Sequence, residues 1–285
     1  MRRQHVAGPL IFAFALGVLL FLAGTMDAAA LSRATRGLIS LPRLVQRTAA
    51  AFQWHGTVLQ GNAIEIKGVN GDIVAEATPG VEVEVFADRR GRRNDPESVR
   101  IEVVQHGDGV TICAVYPSRS DDRPNECRPG KEGRMNVQNN DVTVKFRVRV
   151  PAGVRFVGKT VNGDIEAESL AGPLELQTVN GSTTFSTSSY GDASTVNGSI
   201  RGRLGSSAWN DRLTFHTVNG SITLALPGDT SADVRATTVN GEISTDFPLT
   251  VTGRFSPRRL SGTIGGGGRT LELETVNGSV RLQRR

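Results

Sequence analysis

Along most of this chain apolar and polar residues alternate, and the alternation breaks at the same three letters each time. Short runs such as Ile64-Glu65-Ile66, Leu174-Glu175-Leu176, Leu213-Thr214-Phe215 and Leu271-Glu272-Leu273 show the period of two expected for a strand with one buried face. Each run is followed by Val-Asn-Gly, which occurs at Val69, Val161, Val179, Val196, Val218, Val239 and Val276. Four positions after the valine the apolar side resumes, at Ile73, Ile165, Ile200, Ile222, Ile243 and Val280, with Thr183 in that slot in one copy. Threonine precedes the valine at Thr160, Thr178, Thr195, Thr217, Thr238 and Thr275. A degenerate copy, Leu260-Ser261-Gly262-Thr263-Ile264, fills the remaining gap, so that from Val161 the spacings run 18, 17, 22, 21, 21 and 16 residues.

A strand, an Asn-Gly corner and another strand fit two architectures. In an antiparallel meander Asn-Gly would occupy hairpin turns, but turns should then recur at both ends of every strand pair, and only one corner per period carries the signature. A single-stranded parallel β-solenoid needs one corner per rung, stacked at the strand spacing of about 4.8 Å. The all-β solenoid is therefore the favoured fold class. It predicts a structural ladder of side-chain amides through Asn70, Asn162, Asn180, Asn197, Asn219, Asn240 and Asn277. The glycine after each asparagine is expected to supply a positive-φ turn.

The first Val-Asn-Gly precedes the second by 92 residues, so the front half is elaborated. Strands are predicted at 81–87, 99–105, 110–115 and 142–150. Residues 52–150 read as a strand-rich section of the repeat domain, either long solenoid coils or a small sandwich, and residues 151–285 as the solenoid of Val-Asn-Gly coils. Val150-Pro151-Ala152-Gly153 and Leu226-Pro227-Gly228 each introduce a later rung. The charged end, Arg281 to Arg285, reads as the blunted edge of the last rung.

The net charge of +5 loses its significance once it is located. Residues 1–50 carry six arginines against one acid, Asp27, which leaves 27 basic and 27 acidic side chains in the rest. Such a body lacks the cationic surplus of a nucleic-acid binder. Arg2-Arg3, an uncharged stretch at 6–26 and Ala28-Ala29-Ala30 make residues 1–30 a signal peptide or, if retained, a signal anchor that would attach the protein to the membrane. Residues 31–51 read as a linker or a short amphipathic helix capped by Ser40. Either way the body is exported to the cell envelope, outside the cytoplasm. In that oxidising setting two cysteines flanking one polar loop, Cys113 and Cys127, read as a disulfide.

Little catalytic chemistry accompanies this. Asp164, Glu166 and Glu168 alternate on one strand face, and Asp72 and Glu242 sit at the position of Asp164 in other coils. Serine replaces them at Ser182, Ser199, Ser221 and Ser279, so a solvated face suits the slot better than a glycosidase pair. Glycines 265–268 lack the Lys-Ser/Thr of a phosphate loop, and no residue set points to a metal or cofactor. Thr195-Val196-Asn197-Gly198-Ser199-Ile200 and Thr217-Val218-Asn219-Gly220-Ser221-Ile222 give residues 52–285 a resemblance to the bacterial putative-adhesin family of β-strand repeat proteins, a domain of unknown function. The resemblance implies a right-handed β-helix-like fold on the cell envelope, and supplies no catalytic residues. The sequence thus reads as a non-enzymatic envelope adhesin or scaffold whose partner is an envelope glycan or protein. The alternatives are a polysaccharide-active β-helix enzyme and an envelope-stress or regulatory accessory.

Overall fold

The structure, a computed structural model, describes residues 47–118, 123–210, 212–251 and 256–285. The leader, the membrane-anchor reading and the Ser40 helix start lie outside the described residues. Of residues 31–51, read as a linker or a short amphipathic helix, the described part is not helical: Arg47–Thr48 is a strand paired antiparallel to Arg90 and Gly91. Among the described residues no helix is long and apolar enough to cross a membrane.

The front strands are β1 (Arg47–Thr48), β2 (Phe52–Gly56), β3 (Ala63–Lys67), β4 (Ile73–Thr78), β5 (Val83–Gly91), β6 (Arg100–His106), β7 (Gly109–Val115) and β8 (Thr143–Pro151). The coils that follow are β9 (Arg155–Lys159) with β10 (Ile165–Leu170), β11 (Leu174–Gln177) with β12 (Thr183–Thr187), and β13 (Gly191–Ser194) with β14 (Ile200–Leu204). Next come β15 (Arg212–His216) with β16 (Ile222–Leu226), and β17 (Ala232–Thr237) with β18 (Ile243–Thr245). The chain closes with β19 (Thr250–Val251), β20 (Arg259–Ile264), β21 (Thr270–Glu274) and β22 (Val280–Arg284). Each coil gives one strand to each of two sheets. The first sheet runs β1-β5-β8-β4-β10-β12-β14-β16-β22-β18, with β2 also on β5, and the second runs β19-β20-β17-β21-β15-β13-β11-β9-β3-β7-β6. Parallel pairing carries the stack from β7 and β8 through to β17 and β18. The front section is therefore continuous with the solenoid, and antiparallel strands β5, β6 and β20 lie at its ends.

The coils do not stack in chain order, and this corrects two sequence expectations. The β3/β4 coil lies between the coil of β7 and β8 and the coil of β9 and β10. At the other end β21/β22 lies between β15/β16 and β17/β18. The terminal segment around Arg281 is thus an interior rung rather than a blunted edge. The degenerate copy at Leu260 is no rung either: β20 runs antiparallel to β17. The chain steps over a rung twice, from β8 to β9 and from β16 to β17. Those steps are the two proline turns noted above, closed by Val154 N–H to Pro151 O and by Thr230 N–H to Pro227 O.

Inward rows from both sheets form one core. Ile73, Ile165, Ile200, Ile222 and Val280 stack as a buried row in the first sheet, and Ile66, Leu176, Phe215 and Leu273 do so in the second. Bulk at one rung is matched by its absence at the next: the ring of Phe185 fills the space above Gly202 and packs 6.2 Å from Phe215, centroid to centroid. Thr183 interrupts the isoleucine row, fully buried, and its hydroxyl has no hydrogen-bond partner among the described residues. Thr183→Val should stabilise the protein by about 1–2 kcal/mol, because it replaces an unsatisfied buried hydroxyl with an isosteric methyl. A urea unfolding midpoint at or below the wild-type value would contradict this.

Candidate functional surface

The repeat motif builds three hydrogen-bond ladders at the corner, each in a different layer. Outermost, each asparagine Nδ2 donates to Oδ1 of the asparagine one rung along: Asn162 to Asn70 (2.9 Å), Asn180 to Asn162 (2.8 Å), Asn197 to Asn180 (2.8 Å) and Asn219 to Asn197 (2.7 Å). The column then passes to Asn277, and Asn240 donates to Asn277 (2.8 Å each). Asn240 comes last in space although it precedes Asn277 in sequence. The column is solvent-exposed, so water can replace part of a lost bond. Asn197→Ala removes two such bonds and should cost about 1–2 kcal/mol in denaturant unfolding; no loss at all would mean the amides contribute nothing to stacking.

Beneath it, the preceding threonine is buried and its hydroxyl donates to a glycine carbonyl of the neighbouring coil. Thr178 reaches Gly163 (2.9 Å), Thr195 reaches Gly181 (2.8 Å), Thr217 reaches Gly198 (2.8 Å) and Thr275 reaches Gly220 (2.8 Å). The third ladder uses the slot after the glycine. Asp72 accepts from the Asp164 N–H (3.2 Å), Asp164 from Ser182 N–H (2.7 Å), Ser182 from Ser199 N–H (3.1 Å) and Ser221 from Ser279 N–H (3.1 Å). Serine replaces aspartate there because the slot needs a short side-chain acceptor, a reason not recognised in the sequence. Glu166 and Glu168 remain exposed on the sheet face.

The glycines also act differently from expectation. Only Gly71 (φ 127°) and Gly278 (φ 156°) of this set have left-handed φ. At Gly163, Gly181, Gly198, Gly220 and Gly241 the requirement is steric, since a Cβ would overlap the carbonyl oxygen of the glycine on the adjacent rung.

In the coil of β7 and β8 a long loop replaces the Val-Asn-Gly corner. Cys113 and Cys127 form a disulfide there, with Cα atoms 5.7 Å apart. Tyr116 is buried and donates to Val142 O (2.8 Å), and burial raises its phenol pKa to about 12. The Asn125 amide donates to Tyr116 O (2.9 Å) and Asn136 O (3.0 Å). The loop is clamped to the sheet by Glu65, which is only 5% exposed. Glu65 accepts from Lys159 Nζ (2.8 Å), Gly130 N–H (2.9 Å) and Thr111 Oγ1 (2.9 Å), with Lys67 Nζ at 3.8 Å. Burial pushes the Glu65 pKa up, but the Lys159 ammonium, the Gly130 N–H and the Thr111 hydroxyl together hold it below the ordinary value.

A depressed folded-state pKa contributes stability that is present above the unfolded value, about 4.3, and lost as pH falls through the folded one. Glu65→Gln should therefore lower stability at pH 7 and flatten its decline below about pH 4. Parallel acid limbs for variant and wild type in urea unfolding would overturn this.

Glu175 and Asp192 face each other on neighbouring strands of the second sheet. Arg155 Nη2 lies 2.5 Å from Glu175, and Asp192 accepts the Thr214 N–H at 2.7 Å. Burial raises the Asp192 pKa, and the Glu175 charge adds to this. Both acids are held by structural partners on the sheet face. Among the described residues no group of three or more His, Cys, Asp or Glu side chains could hold a metal ion.

The family profile described as Toastrack DUF4097 matches residues 135–283. No curated protein sequence matches the chain. Among solved structures, a putative cell adhesion protein from Clostridium sporogenes is 12% identical, with 82% of this chain and 100% of that chain covered and a TM-score of 0.43. A putative adhesin from Bacteroides fragilis is 12% identical over 82% of this chain and 97% of that one, with a TM-score of 0.34.

Proposed function

This chain belongs to the Toastrack DUF4097 family, and on that premise we propose that it is an exported, non-enzymatic envelope protein, an adhesin or scaffold that works by presenting its solenoid surface. One observation carries the reading. The polar residues that recur in the Val-Asn-Gly coils are spent on rung-to-rung hydrogen bonds, and the side chains that vary between coils stand on two sheet faces. An enzyme concentrates its recurring polar groups on a reacting centre; a surface that binds an extended partner varies along its length above a fixed frame. The disulfide supports an oxidising compartment.

The test has two arms on the full-length chain in its bacterial host. Trapping thiols with an alkylating agent in intact cells should find Cys113 and Cys127 oxidised. The purified protein should bind immobilised envelope glycans or envelope proteins. Reduced cysteines in the cell, together with no binding to any envelope component, would overturn the proposal.

A further inference from the structure

Arginines on the sheet faces differ in whether a carboxylate holds them. Arg147 pairs with Asp88 (3.7 Å), Arg149 with Glu84 (3.3 Å), Arg155 with Glu175 (2.5 Å) and Arg212 with Glu272 (3.4 Å), each across strands. Arg201, Arg203 and Arg281 are exposed, and their guanidiniums make no ion pair or hydrogen bond among the described residues. Their cross-strand neighbours carry hydroxyls or a methyl rather than carboxylates. Arg201 lies between Thr184 and Thr223, Arg203 between Ser186 and Ala225, and Arg281 between Thr223 and Ser244.

The stacking order is what gathers them. Because β22 is inserted beside β16, Arg281 falls in the same row as Arg201, two strand spacings or about 9.6 Å away. Arg203 lies next-but-one on the strand of Arg201, roughly 7 Å along it. The acids that border the group include Glu166 and Glu168 on β10, two strands beyond β14, Glu242 next-but-one to Ser244, and Asp246, whose carboxylate accepts the Arg284 N–H (3.4 Å). Three guanidiniums without an ion pair on one sheet face, with hydroxyls between them, make a cationic surface inside a body of balanced charge.

We propose that this face docks a linear carboxylate-bearing glycan, a polyuronate strand laid across β12, β14, β16 and β22. The inference rests on the envelope-binding reading above and names its partner class. Guanidinium is the planar donor that matches carboxylate in a bidentate fork, and the threonine and serine hydroxyls between the arginines suit sugar hydroxyls. The exposed large apolar side chains, Leu59, Val81, Val161, Val179, Val196, Val239 and Val251, all lie off this face, so nothing there would insert into a lipid surface. No aromatic side chain stands on it to stack a nucleobase.

The experiment uses the full-length chain and four probes: alginate, neutral dextran, phosphatidylglycerol–phosphatidylcholine vesicles and duplex DNA. Alginate should bind and dextran should not, and the affinity should fall steeply between low and high salt as the Debye length drops from about 10 Å to 3 Å. R201Q/R203Q/R281Q should weaken alginate binding at least about tenfold with an unchanged melting temperature, through loss of three charge-assisted contacts. R149Q/R212Q, which removes paired arginines, should change it less than about twofold. Unchanged alginate binding by the triple variant, or tighter binding of vesicles or DNA than of alginate, would overturn the assignment. If the triple variant still binds envelope material as the wild type does, this inference fails and the broader function stands. If the wild type binds neither alginate nor any envelope component, both fail.

Discussion

Gly198→Ala should destabilise the protein by about 3 kcal/mol or more, although it adds a single methyl at a corner beside solvent. The new Cβ would overlap the carbonyl oxygen of Gly181, far inside the 3.0 Å that Cβ atoms keep from other heavy atoms. The obstacle is backbone, so no side-chain rotation relieves it, and the two rungs must move apart. Three ladders register those rungs. Separation would strain the Asn197–Asn180 bond, the Thr195 bond to Gly181 O and the Ser199 N–H bond to Ser182 together. Gly107→Ala is the control, because nothing lies within 4 Å of a Cβ there and its φ is not left-handed. It should change stability by no more than about 0.5 kcal/mol. Equal unfolding midpoints for the two variants would mean that the stack tolerates a methyl and that the corner glycines serve some other purpose.

That steric requirement shows where the sequence was readable and where it was not. Period and corner were legible because each recurs: alternation at Ile64 and Ile66 or Leu271 and Leu273 fixes a buried face, and seven asparagines at one phase of the repeat fix a column. Glycine after asparagine is also the turn signal of a hairpin, so its packing role is hidden from composition. The hydrogen-bonding role of the serine and aspartate slot was hidden because its partner, a backbone N–H on another rung, has no sequence signature. Stacking order was hidden for a related reason, since identical corners fit one another in any order. Two clues were present. Ser261 stands where the ladder needs an amide, which disqualifies 260–264 as a rung, and the proline turns at Pro151 and Pro227 mark the two steps over a rung. The arginine face depends on that order as well. Arg201 and Arg281 are 80 positions apart in sequence and come into one row only because the last coil is inserted.

Ending the chain at Gly266 should therefore abolish far more than the last coil. In a solenoid stacked in chain order, removing residues 267–285 would delete an end rung and one interface, leaving the remainder folded. Here β21 is paired on both sides, with β15 and β17, and β22 is paired with β16 and β18. The truncation takes away Leu271, Leu273, Val280 and Leu282, all buried, at about 1.5–3 kcal/mol of burial each. It also removes the Thr270 carbonyl that receives the Trp209 indole N–H (3.3 Å) and both hydrogen bonds of Asn277 in the ladder. Strands β17 and β18 would then lose the parallel neighbours they lie against, and the inward faces of β15 and β16 would form a raw edge. Limited proteolysis should cut the truncated chain within residues 232–245 faster than it cuts the full-length chain, and the truncated protein should melt well below it or aggregate. A truncated chain that keeps residues 232–245 protected would place Asn240 directly on Asn219, restoring chain-order stacking and dispersing the arginine row with it.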